Sequence, residues 1–327
     1  MSMRTVVVKK VTNAAITIVI ILVANFILFR LLPGDPAITF VRHLPNSNPA
    51  LLDRQREIFG LNQPLAVQIG KYIVNTFTGN WGYSFFQGDT LVTTIIGEKA
   101  LPTLVLVGTS TLLTIWIGIV IGAMSAWRRG KAFDVTALGL GFFFYAMPTF
   151  WFGIMLVVLF GTGGIIPLLP SSHMLRIPYP TDLGDVIVDG AKHLILPALT
   201  LTLGNIAGTS IIMRNSLIDV LTEDYIVTAR AKGLANRLVL KQHAMPNARL
   251  PMVTVIALNL GFLLGGAFQV EVVFSYDGLG LLTVNAVQAL DFPLLQALFL
   301  LITVSVVIAN LVSDFVYAWL DPRVRLE

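Results

Sequence analysis

Six stretches of this chain run for about 20 residues or more with scarcely a charge: 11–32, 101–126, 135–160, 194–213, 251–274 and 293–319. A helix needs about 20 apolar residues to cross the roughly 30 Å hydrocarbon layer of a bilayer. The pattern therefore predicts six membrane-spanning helices, with both termini on one side. Three of the spans carry glycines four apart, Gly118/Gly122, Gly204/Gly208 and Gly261/Gly265. Such pairs let helix backbones approach closely where apolar burial supplies no driving force, and ordinary bundle packing is the expected role.

The polar stretches between spans are structured too. In the long segment 33–100, Asn48-Pro49 precedes "ALLDRQREIFG", which reads as an N-cap, a proline at the first helical position and a glycine stop. A second helix is expected from near Pro64 to just before Gly79, followed by the aromatic turn "GNWGYSF". This division gives a first span with its N-terminus (1–32), an ordered outer loop (33–100), a five-span core (101–320) with a polar loop at 214–249, and a short tail (321–327).

Composition agrees with the pattern. The 327 residues are 55% hydrophobic and 12% charged, with mean hydropathy +0.80, against about 25% charged in soluble domains. The basic excess of +4 says less than where the cations lie. If the termini are cytoplasmic, the inside segments hold 14 Lys and Arg in 61 residues and the outside segments 7 in 119. The positive-inside rule favours that orientation. The N-terminal apolar run is longer than a signal-peptide core and ends in Pro-Gly-Asp-Pro, which suits an uncleaved span. Cysteine is absent, which removes disulfides, thiolate metal sites and thiol catalysis.

The loop before the fifth span stands apart. Thr222 is a candidate N-cap, Glu223 and Asp224 suit a first turn, and Arg230 and Lys232 suit a last turn. Gly233 then offers a left-handed stop and Leu234 its usual hydrophobic contact. A helix over 223–232 is expected, too short to persist unsupported in water. Ile226, Ala229 and Gly233 would form a small-residue face for a shallow groove on a partner, with Arg230 and Lys232 at its rim. A second helix, capped by Asn236, is expected to run to Met245 before Pro246.

The spacing of Gly233 and Pro246, thirteen apart, resembles the EAA loop of permeases in ATP-binding cassette (ABC) importers. "LLPGDP", "FGLNQPLAVQ", "KHLILPALTL", "GGAFQVEVVFSYDGLG" and "YAWLDPRVRL" are similar to the B-type permease of the oligopeptide, dipeptide and nickel importers. One departure is Val227, which stands where the loop signature carries an acid, followed by Thr228-Ala229 in place of paired alanines. The resemblance implies the all-α type I importer permease fold in the inner membrane, with a cytoplasmic coupling helix between the fourth and fifth spans. It implies a second homologous permease, two cytoplasmic ATPase subunits carrying ATP and Mg, and an extracytoplasmic binding protein that delivers a di- or oligopeptide, nickel or an oligosaccharide. The coupling contact would then comprise Tyr225, Ile226, Ala229, Arg230, Lys232, Gly233 and Leu234.

No phosphate-binding G-x-x-x-x-G-K-[ST] loop occurs. His43, His173, His193 and His243 show no metal-ligand spacing, and no cofactor or catalytic site is expected on this chain. Polar residues within spans are costly and face protein or water. Asn205, Gln269 and Glu271 are the candidates for lining a pathway, while Asn310 and Asp314, four apart, are expected to bond to another helix. The alternative functional class is a secondary transporter or channel, though the internal repeats common there are not evident.

Overall fold

A computed structural model describes residues 3–31, 53, 57, 63–84, 86–88, 90–252, 255–256 and 267–320. The main helices are α1 (Met3–Leu31), α2 (Leu65–Thr78), α3 (Val92–Trp127), α4 (Ala132–Ala146), α5 (Thr149–Phe160) and α6 (Leu183–Leu221). There follow α7 (Asp224–Ala231), α8 (Asn236–Leu238), a π-helical stretch (Val239–Ala244), α9 (Met245–Ala248), α10 (Phe268–Val273), α11 (Leu279–Gln288) and α12 (Phe292–Leu320). Among the described residues, extended pairing is confined to two isolated bridges, Tyr83 with Leu91 and Gly161 with Leu169.

Among the described residues four helices are long and apolar enough to span a membrane, and a fifth span is formed if the bent pair α4 and α5 counts as one. Most of the expected span 251–274 lies outside the described residues. The third expected span, 135–160, is not a single rod: α4 and α5 meet at 101°. Met147 adopts an extended backbone ahead of Pro148. Proline disfavours a helical conformation in the residue before it and offers no N–H to the helix ladder.

Two helices overrun the apolar segments that predicted them. α3 begins at Val92, nine residues early, and α6 runs unbroken for 39 residues. At 1.5 Å per residue α6 is roughly 58 Å long, about twice the hydrocarbon thickness. Asp182 starts it by accepting from the backbone N–H groups of Gly184 (2.9 Å) and Asp185 (3.3 Å).

α3 against α6 is the central contact of the bundle. A methyl added at Gly118 would come within 2.6 Å of Thr209, and one at Gly122 within 2.5 Å of the Ser210 carbonyl and 2.8 Å of Met213. Gly204 and Gly208 do not repeat this role. A methyl at Gly208 would meet nothing within 4 Å and one at Gly204 only Thr149 at 4.0 Å. Small residues are permissive, and the facing helix decides whether they are used. Gly261 and Gly265 lie outside the described residues.

The described part of the segment between α1 and α3 contains α2, packed against α1. Of the first expected loop helix only Asp53 and Glu57 are described, both helical. α2 matches the second, from Leu65 to a left-handed Gly79 (φ 75°). Asn25 on α1 donates to the Tyr72 hydroxyl on α2 (3.1 Å) and to the Gln296 carbonyl on α12 (3.0 Å). Asp291 is fully buried at the start of α12. One of its oxygens accepts from the Leu294 N–H (3.2 Å), the other from the Ser84 hydroxyl (2.5 Å) and the Phe86 N–H (3.1 Å). A single carboxylate thus caps a helix and fastens the turn before α3. Near the other end of α12, Asp314 pairs with Lys10 on α1 (2.9 Å), while Asn310 is exposed.

Replacing Gly122 by Val should lower the thermal unfolding midpoint of the detergent-solubilised protein, because overpacking of this kind costs about 1–3 kcal/mol or more. Gly208→Ala, with open space around it, should leave the midpoint unchanged or raise it slightly.

Candidate coupling site

The loop after α6 is built from its ends inward. Thr222 does not cap the following helix as the sequence pattern predicts. It closes α6 instead, its hydroxyl donating to the Asp219 carbonyl (2.7 Å). Glu223 takes the N-cap place of α7 without a side-chain bond, and the helix covers Asp224–Ala231. Its C-terminus follows the expectation. Gly233 is left-handed (φ 78°), its N–H donates to the Arg230 carbonyl (2.9 Å), and the Leu234 N–H donates to Ala229 (3.4 Å). This is the doubly bonded glycine stop that satisfies the last carbonyls of a helix.

The face that α7 turns inward corrects the sequence reading. Ile226 (0% exposed) and Ala229 (5%) are buried against Met213 and Leu217 of α6, Val239 and Ala244 of the π-helical stretch, and Ala248 and Met252. Leu234 is partly buried on the same cluster. A face already packed on its own chain cannot also fill a groove on a partner. Exposed on the other side are Asp224, Tyr225, Val227, Thr228, Arg230 and Ala231, followed by Lys232 and Gly233.

The second half of the loop holds this knob in place. Asn236 is the first helical residue and not the cap, and the helix continues beyond Pro246 to Ala248. The wide turns of the π-helical stretch come just before Pro246, which has no N–H to give and would crowd the carbonyl four residues back in an α-helix. Asn247 donates to the Tyr225 hydroxyl (2.8 Å), and Ser216 on α6 donates to the Ala248 carbonyl (2.9 Å).

A second tie joins this end of the bundle to the bent span. Arg214 on α6 makes a bidentate pair with Asp134 at the start of α4, both contacts at 2.7 Å, and Asp134 also accepts from the Gly130 N–H (2.9 Å). The Asp134 side chain is 3% exposed and that of Arg214 18%. Eighty residues separate the two, so no local pattern reveals the pair. The available signal is one of depth, an acid at the start of the third span and a base at the end of the fourth.

The three pathway candidates are not brought together. Asn205 is exposed on α6, its side-chain amide donating to the Leu201 carbonyl (2.8 Å), and Gln269 is exposed on α10. Glu271 has no exposed surface. Its carboxylate accepts from the Thr103 hydroxyl (2.9 Å) and from the N–H groups of Gly280 (2.7 Å) and Leu281 (3.0 Å) at the start of α11. Thr103 in turn accepts from the Leu279 N–H (2.7 Å). A methyl at Gly280 would lie 2.5 Å from Phe268 and 2.9 Å from Glu271, so this cradle admits only glycine there. Glu271 is placed as the cap of α11, an arrangement that helix N-termini favour, and not as a group facing open space. Burial, with the charge of Glu271 adding to it, pushes the phenol of neighbouring Tyr276 up to about 12, so it stays neutral. Among the described residues no cluster of three or more acidic or histidine side chains is placed to hold a metal.

Among the described residues the chain is an all-helical bundle with four or five helices apolar enough to cross a membrane, the class of a multi-pass membrane protein. The N-terminal part, residues 3–105, matches the family described as "Binding-prot-dependent transport system membrane comp, N-term", and residues 118–326 match "Binding-protein-dependent transport system inner membrane component". The chain belongs to this family of inner-membrane permeases, as a transport subunit of an ABC importer whose ATP hydrolysis lies in separate subunits. Among its relatives, the oligopeptide transport system permease protein AppB of Bacillus subtilis is 34% identical, over 93% of this chain and 94% of that protein. The glutathione transport system permease protein GsiC of Salmonella typhi is 35% identical, over 98% and 99%. The probable D,D-dipeptide transport system permease protein DdpB of Escherichia coli is 35% identical, over 92% of each. Among solved structures, an inward-facing MetNI methionine ABC transporter covers 69% of this chain and 96% of its own, with TM-score 0.54 and 15% identity, a likeness of fold.

Breaking a buried ion pair by removing one partner costs about 3–5 kcal/mol. Arg214→Ala should approach that cost in a chemical-unfolding titration, because it strands the buried Asp134 carboxylate, and Asp134→Ala should fall below it because the guanidinium left behind is partly solvated. The double variant should lose clearly less than the sum of the two.

Proposed function

We propose that this chain forms, with a second homologous permease, the translocation pathway of a peptide importer, and that α7 is where the ATPase subunits act on it. In this reading six helices cross the membrane, both termini are cytoplasmic, and an external binding protein delivers the substrate. ATP and Mg belong to the cytoplasmic partners. A di- or oligopeptide is the substrate class favoured by the names of the relatives.

The observation that carries the reading is the division of α7 into two faces. Ile226 and Ala229 lock it to the bundle, while Tyr225, Arg230 and Lys232 stand outside. A helix this short needs an anchor to persist, and once anchored it moves only with what it is anchored to. Push on its outer face would pass to α6 through the Met213 and Leu217 cluster, and from α6 to α4 through Arg214 and Asp134. Gly233 and Leu234 would hold the end of the helix in shape and not form the contact surface itself. Asn205 and Gln269 remain the polar side chains proposed for the pathway, with Glu271 acting as an anchor beside it.

Arg230→Glu combined with Lys232→Glu should leave membrane insertion and thermal stability unchanged, since both side chains are solvated. Retention of the ATPase subunits on affinity purification should fall at least about tenfold, because like charges placed across an interface cost several kcal/mol. Full ATPase retention and peptide uptake in this variant, or peptide uptake driven by an ion gradient with this chain alone, would reject the reading.

A further inference from the structure

An apolar groove of about 310 Å³ opens between α3, α4 and α6, lined by Ile121 and Ser125, Phe133 and Leu140, and Leu203 and Ala207. It extends along α4 from Phe133 to Phe144, which at 1.5 Å per residue is roughly 16 Å. That is close to half of the roughly 30 Å hydrocarbon core, the depth of one leaflet. A single hydrocarbon chain fits a groove of this volume and length, and its lining is almost wholly apolar.

The end of the groove nearest the α3–α4 turn is chemically different. Ser125 is buried (1% exposed), and its hydroxyl has no hydrogen-bond partner among the described residues. A buried hydroxyl without a partner is costly. The turn itself carries Arg128, Arg129 and Lys131, all exposed and none in a salt bridge among the described residues. Arg128 lies 5.6 Å from the ring centre of Phe133, which lines the groove. The nearby acid, Asp134, is already engaged by Arg214. Cations without a salt bridge among the described residues therefore cluster at the mouth of an apolar slot.

We infer that this groove binds one acyl chain of an anionic phospholipid, with Ser125 facing its glycerol-ester region and Arg128, Arg129 and Lys131 holding the phosphate. Basic pockets between membrane helices suit anionic headgroups, and the cations select the lipid by charge while the slot anchors it. The inference rests on the proposed orientation only in assigning the lipid to the inner leaflet. The site itself depends on the α3–α4–α6 contacts alone.

The test is native mass spectrometry of the full-length protein, with whatever subunits co-purify, released from nanodiscs of mixed phosphatidylglycerol and phosphatidylethanolamine. Wild type should retain phosphatidylglycerol in preference. Arg128→Gln with Arg129→Gln and Lys131→Gln should lower that preference about a hundredfold, three cations at roughly 1 kcal/mol each. Ala137→Phe, which fills the slot, should lose both lipids. Unchanged phosphatidylglycerol retention in the triple variant overturns the proposal, even if the slot-filling variant fails to fold. So does a photocrosslinker at Leu140 that captures a polypeptide and not a lipid. Because retention is read without ATPase activity, its failure is separate from failure of the coupling reading.

Discussion

The close approach of α3 and α6 is the contact on which the rest of the structure depends. Lipid tails are as apolar as the side chains facing them, so helices in a membrane gain little from burial and associate by dense packing. Gly118 and Gly122 bring the backbone of α3 against Thr209, Ser210 and Met213, leaving no space for even one added carbon. α6 is fixed by this contact and continues to Leu221, its last turns packed under α7. The α7 helix, the Arg214 ion pair and the apolar groove are all arranged along that one helix.

A second constraint is that polar groups removed from water must find partners within the protein. Among the described residues each buried carboxylate serves the start of a helix. Asp291 caps α12 and ties down the turn before α3, Glu271 caps α11 and holds Thr103 of α3, and Asp134 holds Arg214 and the turn before α4. The acids therefore join elements far apart in the chain. Buried charges of this kind are sensitive to loss of one partner and add direction that apolar packing lacks.

In an importer permease these ties have a mechanical meaning. The helix α7 is too short to stand alone, yet it is seated on two buried residues and stitched at Tyr225 to Asn247. Its outer side carries Asp224 in the first turn and Arg230 and Lys232 at the other end, and its inner face carries no charge. On the proposed reading, force applied to its outer side would pass to α6 and, through Asp134, to the bent pair α4 and α5.

Much of this was legible in the sequence because lipid imposes simple rules. Apolar length located α1, α3, α6 and α12 near their observed places, and the glycine at 233 marked the end of α7 because only a left-handed residue closes that stop. The family's loop spacing and its other motifs identified the class. Pattern alone misassigned Thr222, which ends one helix and does not begin the next, and it took Ile226 and Ala229 for an outward face. Periodicity states that two residues share a face but not which neighbour that face meets. The pairing of Asp134 with Arg214 and of Glu271 with α11, and the choice of Gly118/Gly122 over Gly204/Gly208, were decided only in three dimensions. Each depends on which surface arrives opposite, and that is a property of the assembled bundle, not of any single helix.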